Sequence, residues 1–495
     1  MKALDGLRNW ITADDPRLAL AGVLFVCLLA GLLVGVLFGG LGPVLAVGAI
    51  GATIAGLLML RSTDWGLYAL VALIALLPYA ALPVKVVFTP TFLDLILVAL
   101  FAVWLARLVT GAQRTFVASA LGLPIFVFMF WALVTFIVGL GHASLTPNVL
   151  RHFVEVLLAV ALFFVAVNRV RRVEVLERIS RALLLAGGGT ALLGIVFYFI
   201  PGGWTVAVLG RLGRFGYPTD GILRYIEDNP ENPMRAISTS IDPNALGGLL
   251  VILTVVAVAH LFAERPILPR FYLALISGTM VLCLILTFSR GSMAGVAAAL
   301  VVMGVLRYRK LLWVMALGAA LVIILPQTQF YVSRFIEGVQ GQDLATQMRF
   351  GEYKDALILI SRNQLLGVGF AGAPDIDLYI GVSNVYLLVA EQMGLVGLAL
   401  FVLVLLVFWI VAWRAWRRLP AAPARGRLEG PLLGYSLALV GAAVSGIFDH
   451  FFFNISFVHL VSLFWLVMGL GVATALLVDR QPEEAMLHLD SSRPG

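Results

Sequence analysis

SNVYLLVAEQMGLVGLALFVLVLLVFWIVAWRAWRR, residues 383–418, decides the fold class. From Val385 to Trp413 it carries one charged residue, Glu391, and it ends on Arg414, Arg417 and Arg418. Such a run exceeds the roughly 20 apolar residues that a helix needs to cross a bilayer. Its terminal arginines mark an exit on the cytoplasmic side. Upstream lies the longest polar insertion in the chain. It runs from Tyr331 and Arg334 through Arg349, Glu352 and Lys354 to Gly367, Gly369, Asp375 and Asp377. Chemistry in a mostly apolar chain belongs in its polar insertions, and this one reads as half of an active site.

Working outward, the same character holds throughout. Mean hydropathy is +1.02, 61% of the 495 residues are hydrophobic and 12% are charged. That composition excludes a soluble domain. Only helices or closed barrels satisfy the backbone in lipid, and long apolar runs without alternation select helices. The expectation is an all-α polytopic membrane protein with about 14 transmembrane helices and two long extracytoplasmic loops carrying short helices. The expected spans are 18–38, 43–60, 65–83, 91–109, 121–140, 153–168, 181–200, 243–262, 271–288, 291–306, 312–327, 384–412, 431–449 and 457–478. A cytoplasmic segment, 1–17, precedes a single transmembrane domain, 18–479. Its outer loops are 201–242 and 328–383, its cytoplasmic linker is 413–430, and a disordered tail, 480–495, follows.

The N-terminus lacks the pattern of a cleavable signal peptide. Cys27 and Cys283 both fall inside expected spans and read as packing residues. With both termini inside, 23 of the 34 lysines and arginines lie in the cytoplasm, as the positive-inside rule requires. The net charge of +7 therefore belongs to cytoplasmic loops, and nucleic acid is not a partner.

Nine of the remaining cations fall in three outer segments: Arg211, Arg214, Arg224 and Arg235; Arg290; and Arg334, Arg349, Lys354 and Arg362. Arg290 stands in a turn of almost no length between two spans. There it snorkels to headgroups, pairs with a carboxylate, or holds an anion. Arg235 precedes Asp242-Pro243, a helix start that makes Asp242 a cap and Asn244 its neighbour. Arg211 and Arg214, beside Phe215 and Tyr217, suit a sugar-contacting surface or plain solvated charge. Arg349 opens an amphipathic helix reaching to Ile360, with Glu352 and Lys354 on its wet face. Asp375 and Asp377 have the form of a metal-binding pair of nucleotide-sugar enzymes, but such donors do not belong outside the cytoplasm. Ser383 reads as an N-cap, and with Asn384 it opens a helix end able to take an anion. In the last outer turn, Asp449 is placed to orient His450 as a base, or the two form a structural pair. His142, His152, His260, His459 and His488 read as background.

Four marks then align with a known group. They are Arg235 ahead of Asp242-Pro243-Asn244 and Gly247; Ser289-Arg290-Gly291 after a span; Arg349 followed by Gly367 and Gly369; and Asn384, Tyr386 and Leu387 followed by Glu391, Gly394 and Gly397. On these the chain resembles, over about residues 180–480, the superfamily of O-antigen ligases and O-antigen or exopolysaccharide polymerases. The resemblance implies a multi-pass protein of the bacterial inner membrane, with both termini cytoplasmic and the active site extracytoplasmic. It implies transfer of a glycan from an undecaprenyl-diphosphate carrier to a sugar hydroxyl of a second glycan or of a lipid-linked acceptor. Arg235, Arg290 and Arg349, with Ser383 and Asn384, would hold the diphosphate, without metal or other cofactor. Membrane lipids and a chain-length regulator are the further partners it suggests. Related proteins carry histidine where this chain has Ser383. The base is therefore sought in His450 with Asp449, then in Glu391, then in a loop aspartate. A lipid-linked oligosaccharide flippase or other transporter is the rival reading.

Overall fold

The computed structural model describes residue 59 and residues 62–83, 88–111, 115–325, 329–372, 381–419 and 426–490, without the side chains of 330, 331, 334, 335, 339 and 481–490. The expected segment 1–17, the spans 18–38 and 43–60 apart from Met59, Cys27, and the pair Asp375 and Asp377 fall outside the described residues. The chain divides into two compact units, Met1–Trp65 and Gly66–Gly495. Every candidate site residue belongs to the second.

The helices are α1 Thr63–Leu76, α2 Phe92–Val109, α3 Gly122–Gly139, α4 Pro147–Arg169, α5 Val173–Phe199 and α6 Gly202–Gly210. There follow α7 Pro243–Phe262, α8 Arg270–Leu286, α9 Arg290–Leu306, α10 Arg309–Ile324, α11 Gln329–Val339 and α12 Leu344–Arg362. The last are α13 Val385–Arg418, α14 Glu429–Ser445 and α15 Val458–Asp490. Each expected span from 65–83 onward falls on one of them. Among the described residues, eight helices are long and apolar enough to cross a membrane, and α1, α8 and α9 are shorter apolar helices. The starts are local chemistry. Thr91 and Asp94 form a reciprocal capping box on α2. Thr146 caps α4 and Asp242 caps α7, each ahead of a proline at the first helical position.

Helix α7 is apolar on every face and is buried on nearly every face, as such a helix must be. It packs against α8, α9 and α14, while α15 packs against α4, α13 and α14. Three expectations need correction. Segment 201–242 carries, besides α6 and short 3₁₀ turns, a two-stranded antiparallel ribbon, β1 Arg224–Tyr225 and β2 Met234–Arg235. The linker expected at 413–430 is shorter at both ends, because α13 continues to Arg418 and α14 starts at Glu429. The tail expected from 480 is helical as far as Asp490, because α15 runs straight on.

The run quoted first is also not one continuous helix. Gly394 has φ 68° inside α13 and breaks it. The freed groups are taken up at once, as lipid requires. Val368 N–H donates to the Glu391 carbonyl at 2.8 Å, Gly369 N–H to Gln392 O at 3.0 Å, and Leu395 N–H to Gln364 O at 2.7 Å. The Trp131 indole N–H donates to the Met393 carbonyl at 2.9 Å. Segment 364–369 thus crosses the break as a strap, made possible by Gly367 (φ 66°) and Gly369 (φ 76°).

Charges collect at the two ends of this bundle. At one end Arg307 bonds Glu429 at 2.6 Å and Glu264 at 2.7 Å. Nearby in the chain's order, Arg427 bonds Glu177 at 2.5 and 2.7 Å. The candidate site lies at the other end, where α8 passes into α9 and where α7 and α13 begin.

Candidate active site

Arg290 is placed by a turn of three residues. Helix α8 stops at Leu286; the Thr287 hydroxyl donates to Leu284 O at 2.6 Å, and Ser289 N–H donates to the Thr287 hydroxyl at 3.2 Å. Phe288 takes φ 54°, and α9 begins at Arg290 itself. A Cβ at Gly291 would come within 2.7 Å of the Phe448 side chain, so the residue must be small for the turn bearing Asp449 and His450 to approach. The Arg290 guanidinium donates to Asp343 Oδ2 at 2.5 Å.

Arg235 arrives on the ribbon, opposite Arg224. Ala236 N–H then donates to Leu286 O at 2.8 Å, which fastens the ribbon to the end of α8. The guanidinium donates through Nε to Thr287 O at 2.8 Å and through Nη2 to Asn244 Oδ1 at 2.5 Å. Burial pulls its pKa down to about 10, against the opposing charges of Asp242 and Asp449. Arg349 comes from α12. All three arginines line one cavity of about 140 Å³, together with Asn244, Phe288 and Asp343.

A second cluster adjoins it at the mouth of α13. Asn384, rather than Ser383, is the cap: its Oδ1 accepts from Tyr386 N–H at 2.9 Å and Leu387 N–H at 3.0 Å, and its Nδ2 donates to Ile447 O at 2.9 Å. Ser383 is held through its main chain. Its N–H donates to Glu352 Oε2 at 2.8 Å, and its carbonyl accepts from the Tyr353 hydroxyl at 3.3 Å. Tyr353 also donates to Ile447 O at 3.2 Å. Helix α12 thereby ties the α13 entrance to the turn that follows α14.

In that turn His450 Nδ1 lies 3.1 Å from the Val382 carbonyl. A carbonyl only accepts, so Nδ1 carries the proton and Nε2 is left as the basic nitrogen. Burial holds the His450 pKa below the usual histidine range. Asp449 meets His450 differently from the expectation. Its Oδ1 accepts from the His450 main-chain N–H at 2.9 Å, so it fixes the backbone and not the ring. Burial pushes the Asp449 carboxyl up to about 8, with the Arg349 charge pulling the other way.

Other expected site residues are set elsewhere. Glu391 is 0% exposed inside α13, and neither carboxylate oxygen has a hydrogen-bond partner among the described residues. Sealed in this way, it has no path to an acceptor sugar. Arg211 and Arg214 are exposed, and Arg214 lies over the ring of its own neighbour Phe215 at 5.5 Å. Tyr217 is 3% exposed in an apolar cluster with Phe197, Leu209 and Ile237, and so presents no surface to a sugar. None of these four lines the cavity. Asp242 does cap α7, accepting from Ala245 N–H at 2.7 Å, and Asn244 buttresses Arg235. Sequence reasoning missed Asp343 and the bridging parts of Glu352 and Tyr353. Asp343 shows only a cap-type residue ahead of a helix, with no local mark of a partner 53 positions away.

A search of curated proteins gives no match. Residues 275–402, from within α8 to the first half of α13, match the family model described as O-antigen ligase.

Proposed function

We propose that the protein is an inverting glycosyltransferase working at the outer face of the bacterial inner membrane. It takes a glycan from an undecaprenyl-diphosphate carrier and passes it to a sugar hydroxyl of a second glycan, as a surface-polysaccharide polymerase or an O-antigen ligase. The observation that carries this reading is the cavity shared by Arg235, Arg290 and Arg349. A departing lipid diphosphate gains negative charge, and guanidinium forks meet phosphate oxygens with bidentate, charge-assisted bonds. Donors aimed at that growing charge favour the transition state over the bound donor.

The acceptor hydroxyl gives its proton to His450 Nε2 as its oxygen bonds the anomeric carbon. The bond from that carbon to the diphosphate breaks on the opposite face, and undecaprenyl diphosphate leaves with the electron pair. Asp449 holds the turn that presents His450. Orientation is supported by the opposite end of the bundle, where Arg307 and Arg427 gather with the basic linker, as expected of a cytoplasmic side.

The test is incubation of purified protein with undecaprenyl-diphosphate-linked oligosaccharide. Longer lipid-linked products indicate a polymerase, and transfer to an added lipid A-core acceptor indicates a ligase. Unchanged donor after incubation with both acceptors, with the lipid merely moved across a liposome membrane, would sink the enzymatic reading in favour of a flippase.

A further inference from the structure

Asp343 has no place in the chemistry above, yet it is the most heavily committed carboxylate beside the cavity. Its side chain is 0% exposed while that of Arg290 is 25% exposed, and the two meet at 2.5 Å. The Thr346 hydroxyl donates to the other carboxylate oxygen, Oδ1, at 2.6 Å. Gly338, at the end of α11, lies so near the Arg290 guanidinium that there is no room for a Cβ. Burial raises the Asp343 pKa, but the bonds from Arg290 and Thr346 outweigh it and leave the carboxyl below its ordinary range. Asp343 stands immediately before α12, and Arg349 is on the second turn of that helix. One rigid element therefore carries both the partner of Arg290 and the third arginine of the cavity.

We propose that Asp343 is a positioning residue that aims the Arg290 guanidinium and clamps α9 to α12, so that Arg290 and Arg349 converge on one diphosphate. This rests on the reading of the cavity as the diphosphate site. A guanidinium has donors on more than one edge. Asp343 holds one of them, which fixes the orientation in which the guanidinium meets the cavity. Without the clamp, a long side chain must be ordered anew at each binding event, which weakens association.

The sign of the effect separates this role from a plain counter-charge. Removing a negative group beside an anion site tightens anion binding if charge alone matters, and loosens it if the group holds a ligand in place. Undecaprenyl diphosphate is the probe, titrated into purified protein in detergent. Asp343→Asn is expected to weaken its binding on the order of 10-fold, the scale of one hydrogen bond to a charged group. Thr346→Val, which loosens the carboxylate and leaves the ion pair, is expected to weaken it in the same direction by about 3-fold. Asp343→Glu, which restores charge at a longer reach, recovers part of the loss. Affinity at or above that of the wild type in Asp343→Asn overturns the proposal; if that variant does not fold, Thr346→Val alone decides by the same criterion. Arg290→Ala run alongside keeps the two readings apart. Wild-type binding there removes the diphosphate site itself, whereas lost binding there with wild-type binding in Asp343→Asn removes only the clamp.

Discussion

The His450 imidazole donates its Nδ1–H to the Val382 carbonyl at 3.1 Å, beside Ser383 at the entrance of α13. The ring comes from the turn after α14 and reaches the α13 entrance. Ser383 is engaged through its main chain by Glu352 and Tyr353, whereas the proton on His450 Nδ1 leaves Nε2 as the basic nitrogen. An imidazole is thereby brought to the α13 entrance from a distant part of the chain.

His450→Gln is expected to lower transfer by roughly 10²–10⁴-fold, the usual contribution of a general base, while donor binding persists. The base works only when neutral, and burial holds its pKa below the usual range. The rate should therefore fall only when pH drops below the ordinary histidine range near about 6.5. A pH profile that keeps that acid limb in His450→Gln assigns the limb, and the base, to another group.

Arg290→Ala is expected to abolish transfer at normal protein level, and Arg290→Lys to restore a minor part. Lysine returns the charge but not the two-pronged geometry. Glycan chain lengths like those of the wild type in the alanine variant would remove Arg290 from the site.

Asp449 titrates in a sense opposite to a salt-bridged carboxylate. Its folded pKa of about 8 lies above the unfolded value, so the folded state binds the proton more tightly. Stability from this group is full at low pH and is lost as pH rises through about 8, with a slope no steeper than roughly 1.4 kcal/mol per pH unit. Asn at this position keeps an oxygen for the His450 N–H and never ionises. Its melting temperature relative to wild type should improve from about pH 5 to about pH 9. A constant difference across that range means that Asp449 is ionised throughout.

Gly394→Ala tests the break in α13. At φ 68° a Cβ would overlap the Leu365 carbonyl, and no side-chain movement relieves a clash with backbone. Melting in detergent should show a loss of several kcal/mol, on the order of 3 or more. Trp131→Phe, which strips the Met393 carbonyl of its donor, should lose about 1–3 kcal/mol. Melting temperatures unchanged in both variants would mean that the strap is not needed to hold the break.

Much of the helical plan was legible because bilayer thickness sets a length, and uninterrupted apolar runs report it directly. That is why each expected span from 65–83 onward falls on an observed helix. The break at Gly394 was not legible, since a lone glycine in a long apolar run reads as helix until a second segment is seen bonding its freed carbonyls. Ribbon strands of two residues, such as the one bearing Arg235, are too short to show a period. Tyr217 illustrates the converse error: aromatic residues near arginines suggest a sugar surface, and only packing against Phe197 and Leu209 reveals a core residue.

Taken alone, the amino-acid order determined that this chain is a helical membrane protein and which polar segments were spared from the apolar spans. Both follow from the free energy of keeping charge and unpaired backbone out of lipid, which acts residue by residue. Only the tertiary structure decided that arginines at 235, 290 and 349 share one cavity, that His450 meets the α13 entrance, and that Asp343 grips Arg290. Those are contacts between segments far apart in the chain, chosen by how helices pack, and no local pattern encodes them.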